Sequence, residues 1–114
     1  MLATLMGPQS VSCRDVSNLL PQRRAVIIDV NSTSRWALAH VPGARNLDPV
    51  HFDASELPAE KHTELVFYCS NFLCRKAPNA ARRARAMGYT QVRVMSAGIQ
   101  GWLNQGLPVE TTAS

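Results

Sequence analysis

Leu65-Val66-Phe67-Tyr68-Cys69 is followed by the seven-residue loop Ser70-Asn71-Phe72-Leu73-Cys74-Arg75-Lys76. The alanine-rich run Ala77 to Met87 and then Gly88 come next. The order reads as strand, loop and helix. Leu65 to Tyr68 is apolar throughout and short, which suits a strand buried on both faces, as in a parallel sheet. Ala80, Ala81, Ala84 and Met87 fall on one side of the following helix and the arginines on the other, an amphipathic pattern. Gly88 stands where a C-cap glycine belongs.

The same alternation continues in both directions. Ala25-Val26-Ile27-Ile28-Asp29-Val30 is a second apolar, β-branched run, read as another buried strand. Before it, Ser12 and Asp15 mark a helix start close to a capping box, Val16, Leu19 and Leu20 give one apolar face, and Pro21 ends the helix. After it, Asn31-Ser32-Thr33-Ser34 is turn and cap chemistry for a short helix through Trp36 to Ala39. Val41-Pro42-Gly43-Ala44 is a turn, and Phe52 to Lys61 a loop with one helical turn. Val92-Arg93-Val94-Met95 is a third strand, Ala97-Gly98 turns, and Ile99 to Gln105 forms a last helix ended by Gly106 and Pro108. Strands alternating with helices give an α/β fold with a mostly parallel sheet.

The 114 residues are expected to form one domain, residues 1–114, with no internal repeat or linker. Hydrophobic residues make up 46% and charged residues 18%, the balance of a globular chain that needs no disulfide or metal staple. Net charge is +4. Much of the excess lies in Arg75, Lys76, Arg82, Arg83 and Arg85, either a solvated helix face or a patch for a small anion. Without interleaved aromatics it is not read as a nucleic-acid surface. Three cysteines, Cys13, Cys69 and Cys74, are too few and odd in number for a disulfide scaffold. Cys69-x4-Cys74 lacks zinc-site spacing, so no metal is expected. Met1 to Gln9 has no charged n-region. No run reaches the roughly 20 apolar residues of a membrane span. A reducing cytoplasm, which keeps thiols free, is the expected compartment.

In open parallel sheets ligands bind beyond the carboxyl ends of the strands. Cys69 stands at such an end. The loop from Ser70 to Lys76 can turn peptide N–H groups inward, the next helix begins there, and Arg75 and Lys76 add charge. Each is expected to lower the Cys69 pKa and to hold an anionic substrate or developing charge. Cys13, at a helix start with no chemical company, reads as a small buried hydrophobe. Cys74 either packs or resolves an oxidised or sulfur-loaded Cys69. His40, His51 and His62 suggest no triad and read as structural. Asp29, ending a buried strand, must be hydrogen-bonded or solvated and is expected to organise nearby backbone.

Taken in order, these residues resemble the rhodanese family. Ile28-Asp29-Val30, Trp36 and His40-Val41-Pro42-Gly43-Ala44-Arg45-Asn46 look like its N-terminal motifs. Phe67-Tyr68-Cys69 looks like the strand that delivers its catalytic cysteine. Ala80-Ala81, Gly88-Tyr89, Val92, Gly98-Ile99, Trp102 and Gly106-Leu107-Pro108-Val109 resemble the C-terminal half. The resemblance implies a five-stranded parallel sheet flanked by helices on both faces. It also implies a Cys69 that takes sulfur from a small anionic donor such as thiosulfate, holds it as a persulfide and passes it to cyanide or a thiol acceptor. No organic cofactor is implied, and oligomeric state is not indicated. The departures lie mainly in the loop. The commonest sulfurtransferase loop is Cys-x-x-Gly-x-Arg, whereas here Cys74 is fifth after Cys69, Gly is absent, and the loop is longer. Asn31 and Ala39 also replace the family's usual Arg and Gly. Cys69-x5-Arg75 is instead the spacing of phosphatase and arsenate reductase relatives of the fold, which leaves an oxyanion enzyme as one alternative. A non-enzymatic sulfur carrier or redox module using Cys69 and Cys74 is another.

Overall fold

The computed structural model describes residues 7–112. Most of the segment read for signal-peptide features, residues 1–6, lies outside the described residues. Five strands are present: β1 (Gln9–Ser10), β2 (Ala25–Asp29), β3 (Arg45–Asn46), β4 (Glu64–Tyr68) and β5 (Val92–Val94). Four α-helices accompany them: α1 (Cys13–Leu19), α2 (Thr33–Leu38), α3 (Lys76–Ala86) and α4 (Gly98–Asn104). The sheet order is β1-β5-β4-β2-β3 and every pairing is parallel. The chain moves outward from β2 to β3, then returns past β2 to place β4 in the centre. The loops after β2 and β4 therefore diverge, which opens a crevice at that switch point.

The two faces of the sheet are separate apolar layers. Ile28, Leu65, Phe67, Val92 and Val94 pack under Ala77, Ala80, Ala81 and Ala84 of α3. Ile27, Val66 and Tyr68 face Val16 of α1 and Trp102 of α4. This is the period-2 alternation of a strand covered on both sides. The methyl-sized face of α3 lets the helix approach the sheet closely, and all four alanines are buried.

The caps are largely where the sequence puts them. Ser12 accepts the Asp15 N–H at 3.0 Å, and Ser32 accepts the Arg35 N–H at 3.3 Å. Pro21 lies within a 3-10 turn, Leu20–Gln22, that extends α1, so the chain tightens there before it leaves the helix. The single helical turn in the long loop is the 3-10 segment Ala54–Glu56, closed by a capping box between Asp53 and Glu56. Strands β1 and β3 emerge only from the three-dimensional structure. β3 is fastened by Asn46, whose amide donates to the carbonyls of Asp29 (3.0 Å) and Asn31 (2.9 Å).

The expected basic patch is only partly a surface. Arg83 turns inward, donating to the carbonyls of Pro49 (3.3 Å) and Phe52 (2.9 Å). Its guanidinium lies over the Phe52 ring, 4.3 Å from the centroid, so it fastens the long loop to α3. Among the described residues no helix is long and apolar enough to cross a membrane.

Candidate active site

Cys69 is the residue after β4, at the carboxyl end of the central strand, and only 3% of it is exposed. By strand alternation its side chain joins the α3 layer of the core. Its carbonyl accepts the Ile99 N–H at 3.0 Å and the Ser70 carbonyl accepts the Gln100 N–H at 3.0 Å. The first turn of α4 thus holds the start of the Cys69 loop. Gly98 makes this approach possible. A Cβ there would lie 2.6 Å from the Ser70 carbonyl carbon and oxygen and 2.7 Å from the Cys69 oxygen, and its φ of +66° is left-handed. Ala97-Gly98 is legible in the sequence as a turn. Its clamp on Cys69 is not, because nothing local links the two segments.

The loop folds back on itself through Asn71. Its side chain accepts the Leu73 N–H at 2.9 Å and its carbonyl accepts the Cys74 N–H at 3.2 Å. This turn carries Phe72 and Leu73 into solvent, 72% and 88% exposed, while Cys74 packs against the same core layer as Cys69. Of the seven residues read as binding substrate, Ser70 and Cys74 converge on Cys69. Asn71 shapes the turn, and the side chains of Phe72 and Leu73 stand away from the thiol. Arg75 and Lys76 are exposed and carry no ion pair among the described residues. Helix α3 has no side-chain cap. The backbone N–H groups of Ala77, in the first turn of α3, and of Ser70 instead act to lower the Cys69 pKa.

One expectation is reversed. Burial pushes the Cys69 thiol up to about 11, and the Cys74 thiol reinforces the shift, against the opposing pull of the Ala77 and Ser70 N–H groups. In solvent the charges of Arg75 and Lys76 are screened; desolvation of the thiolate dominates instead. Cys74 goes the other way. Burial raises it, but the Cys69 thiol together with the N–H groups of Lys76 and Ser70 outweighs burial and holds it below the ordinary thiol value. The two thiols titrate as a pair, and the Cys69 S–H also reaches the Cys74 carbonyl at 3.5 Å.

The remaining candidates are structural. Cys13 is 1% exposed and packs in the core layer of α1 and α4, and burial raises its pKa. Asp29 is fully buried. Its Oδ1 accepts the Asn31 N–H at 2.8 Å, while Oδ2 is buried without a hydrogen bond. Burial raises its pKa, against the opposing effects of the Tyr68 hydroxyl and the Asn31 N–H. His40 stacks on Trp36, 4.4 Å between ring centroids, and its Nδ1 lies 2.6 Å from the Trp36 carbonyl. His62 Nδ1 bonds the Thr90 hydroxyl at 3.0 Å, and His51 is exposed.

The fold has counterparts in known proteins. Human thiosulfate:glutathione sulfurtransferase is 29% identical over 115 residues, covering 89% of this chain and 98% of that protein. The thiosulfate sulfurtransferase GlpE of Haemophilus influenzae is 29% identical over 91 residues, covering 80% of this chain and 85% of its own length. Among solved structures, the BH2092 protein from Bacillus halodurans superposes with a TM-score of 0.83 at 20% identity, over 91% of this chain and 77% of that one. The human single-domain sulfurtransferase TSTD1 superposes at 0.70 with 26% identity, over 87% and 98%. The Rhodanese-like domain model matches residues 12–105, from the Ser12 cap through the end of α4, and with nearly every described element inside that match the chain belongs to the rhodanese family.

Proposed function

We propose that the protein is a sulfurtransferase in which Cys69 is the nucleophile. The observation that carries the reading is the placement of one buried thiol at the carboxyl end of the central strand, where the backbone N–H groups of Ser70 and Ala77 favour its thiolate. The Cys69 thiolate attacks the outer sulfur of a donor such as thiosulfate and sulfite leaves with the bonding electrons. Cys69 is left as a persulfide. A thiol or cyanide then attacks the outer sulfur and regenerates the thiolate. The inward N–H groups stabilise negative charge on the sulfur in each step, at a site where little water competes. The sulfurtransferase relatives support this class of reaction.

Mixing the reduced protein with thiosulfate is expected to release about one sulfite per chain as the sulfur is loaded, a release that is lost in Cys69→Ser. No sulfite from thiosulfate, and no sulfur uptake from any other sulfane donor, overturns the reading. The Cys69-x5-Arg75 spacing, with Arg75 lacking an ion pair among the described residues, favours a second reading as an oxyanion enzyme. That reading requires hydrolysis of an aryl phosphate or thiol-dependent arsenate reduction, abolished by Cys69→Ser; silence in both assays removes it.

A further inference from the structure

A persulfide on Cys69 would form next to a second thiol. The turn at Asn71 folds Cys74 back into the core layer that holds Cys69, and the Cys69 S–H reaches the Cys74 carbonyl at 3.5 Å. Between them Phe72 and Leu73 stand in solvent, 72% and 88% exposed. We propose that Cys74 resolves the sulfur-loaded form of Cys69, so that the protein releases sulfide from its own persulfide and closes a Cys69–Cys74 disulfide. The inference rests on the sulfurtransferase reading and adds a product and a second catalytic residue to it.

The step balances. The Cys74 thiolate attacks the inner sulfur of the Cys69 persulfide, and a bond forms between the two Sγ atoms. The bond from the inner to the outer sulfur breaks, and the outer sulfur departs with that electron pair as hydrosulfide. Two cysteine sulfurs are oxidised to a disulfide and the sulfane sulfur is reduced to sulfide. A low-molecular-weight thiol then reopens the disulfide, two thiols per turnover, by ordinary exchange. Cys74 is suited to attack because the N–H groups of Lys76 and Ser70 favour its thiolate. Attack from within one loop also avoids the entropy cost of recruiting an external thiol.

The test is a single turnover. Reduced protein freed of small thiols is mixed with thiosulfate, quenched by alkylation, weighed, and its released sulfide measured. Wild type is expected to release about one sulfide per chain and to end two hydrogens lighter, as the disulfide. Cys74→Ser is expected to stay one sulfur heavier and to release none. Its persulfide lifetime should be longer by about tenfold or more. If wild type holds its persulfide as long as Cys74→Ser does, the inference falls and the sulfurtransferase reading stands. If neither protein gains sulfur, both fall. Cys74→Ala, which cannot replace the thiol's hydrogen bonds, must behave as Cys74→Ser does.

Discussion

At Cys69 the chemistry turns on where one proton sits. Its thiol is pushed up to about 11 by burial and by Cys74, yet the thiolate is the nucleophile. Below a raised pKa the thiolate fraction grows about tenfold per pH unit, so sulfur loading is expected to accelerate from pH 7 through pH 10 without a plateau. Cys74 raises the Cys69 pKa through its hydrogen bond and its charge. Removing both with Cys74→Ala lowers that pKa and increases thiolate at neutral pH. Loading at pH 7 is expected to rise roughly threefold to tenfold, with the rate-against-pH curve displaced to lower pH. Stopped-flow measurement of sulfite release across the pH range checks this, and a curve displaced to higher pH refutes it. Burial explains why sequence alone gives the wrong sign. Arg75, Lys76 and a helix N-terminus are visible as neighbours in the chain, whereas the layer of apolar side chains around the sulfur is assembled from β2, β4, β5 and α3.

At the scale of elements, the site depends on α4 as much as on β4. Its first-turn N–H groups at Ile99 and Gln100 hold the carbonyls of Cys69 and Ser70, and Gly98 permits the close approach. In Gly98→Ala the new methyl meets backbone atoms at 2.6 Å in a left-handed conformation, and neither the loop nor the helix can yield without breaking those hydrogen bonds. The expected cost is about 1–3 kcal/mol of stability, with a loss of about tenfold or more in the rate of sulfur loading as the thiol shifts from its donors. Thermal denaturation and sulfite-release kinetics on one preparation check both parts; an unchanged rate shows that the clamp does not position Cys69. Legibility follows the same division. β4 and α3 are plain in the sequence because their periodicities run long enough to read. β1 and β3 have two residues each and exist because a neighbouring strand offers its edge, as Gln9 and Ser10 pair with Arg93 and Val94. The place of Cys69 at a strand's carboxyl end is legible from the apolar run before it, while its clamp lies on another element and could not be inferred locally.

Across the whole molecule, strand order puts Cys69 at the switch point between β2 and β4, and net charge acts on what approaches it. The chain carries +4, but Arg83 is turned inward onto the Pro49 and Phe52 carbonyls, and Arg75 and Lys76 stand in solvent. The attraction felt by a dianion such as thiosulfate is therefore diffuse and long-ranged, the kind that salt screens within about 8–10 Å near physiological ionic strength. Raising ionic strength from about 10 mM to about 0.3 M is expected to slow loading by thiosulfate roughly threefold to tenfold, while loading from an uncharged organic trisulfide stays level. Neutralising Lys76 in Lys76→Met should reproduce only part of the salt effect, because the remaining positive charge is spread over the surface. Equal salt responses for the charged and uncharged donors would show that the field of the protein plays no part in capture. In that case the N–H groups around the sulfur must select the donor after it has already reached the crevice.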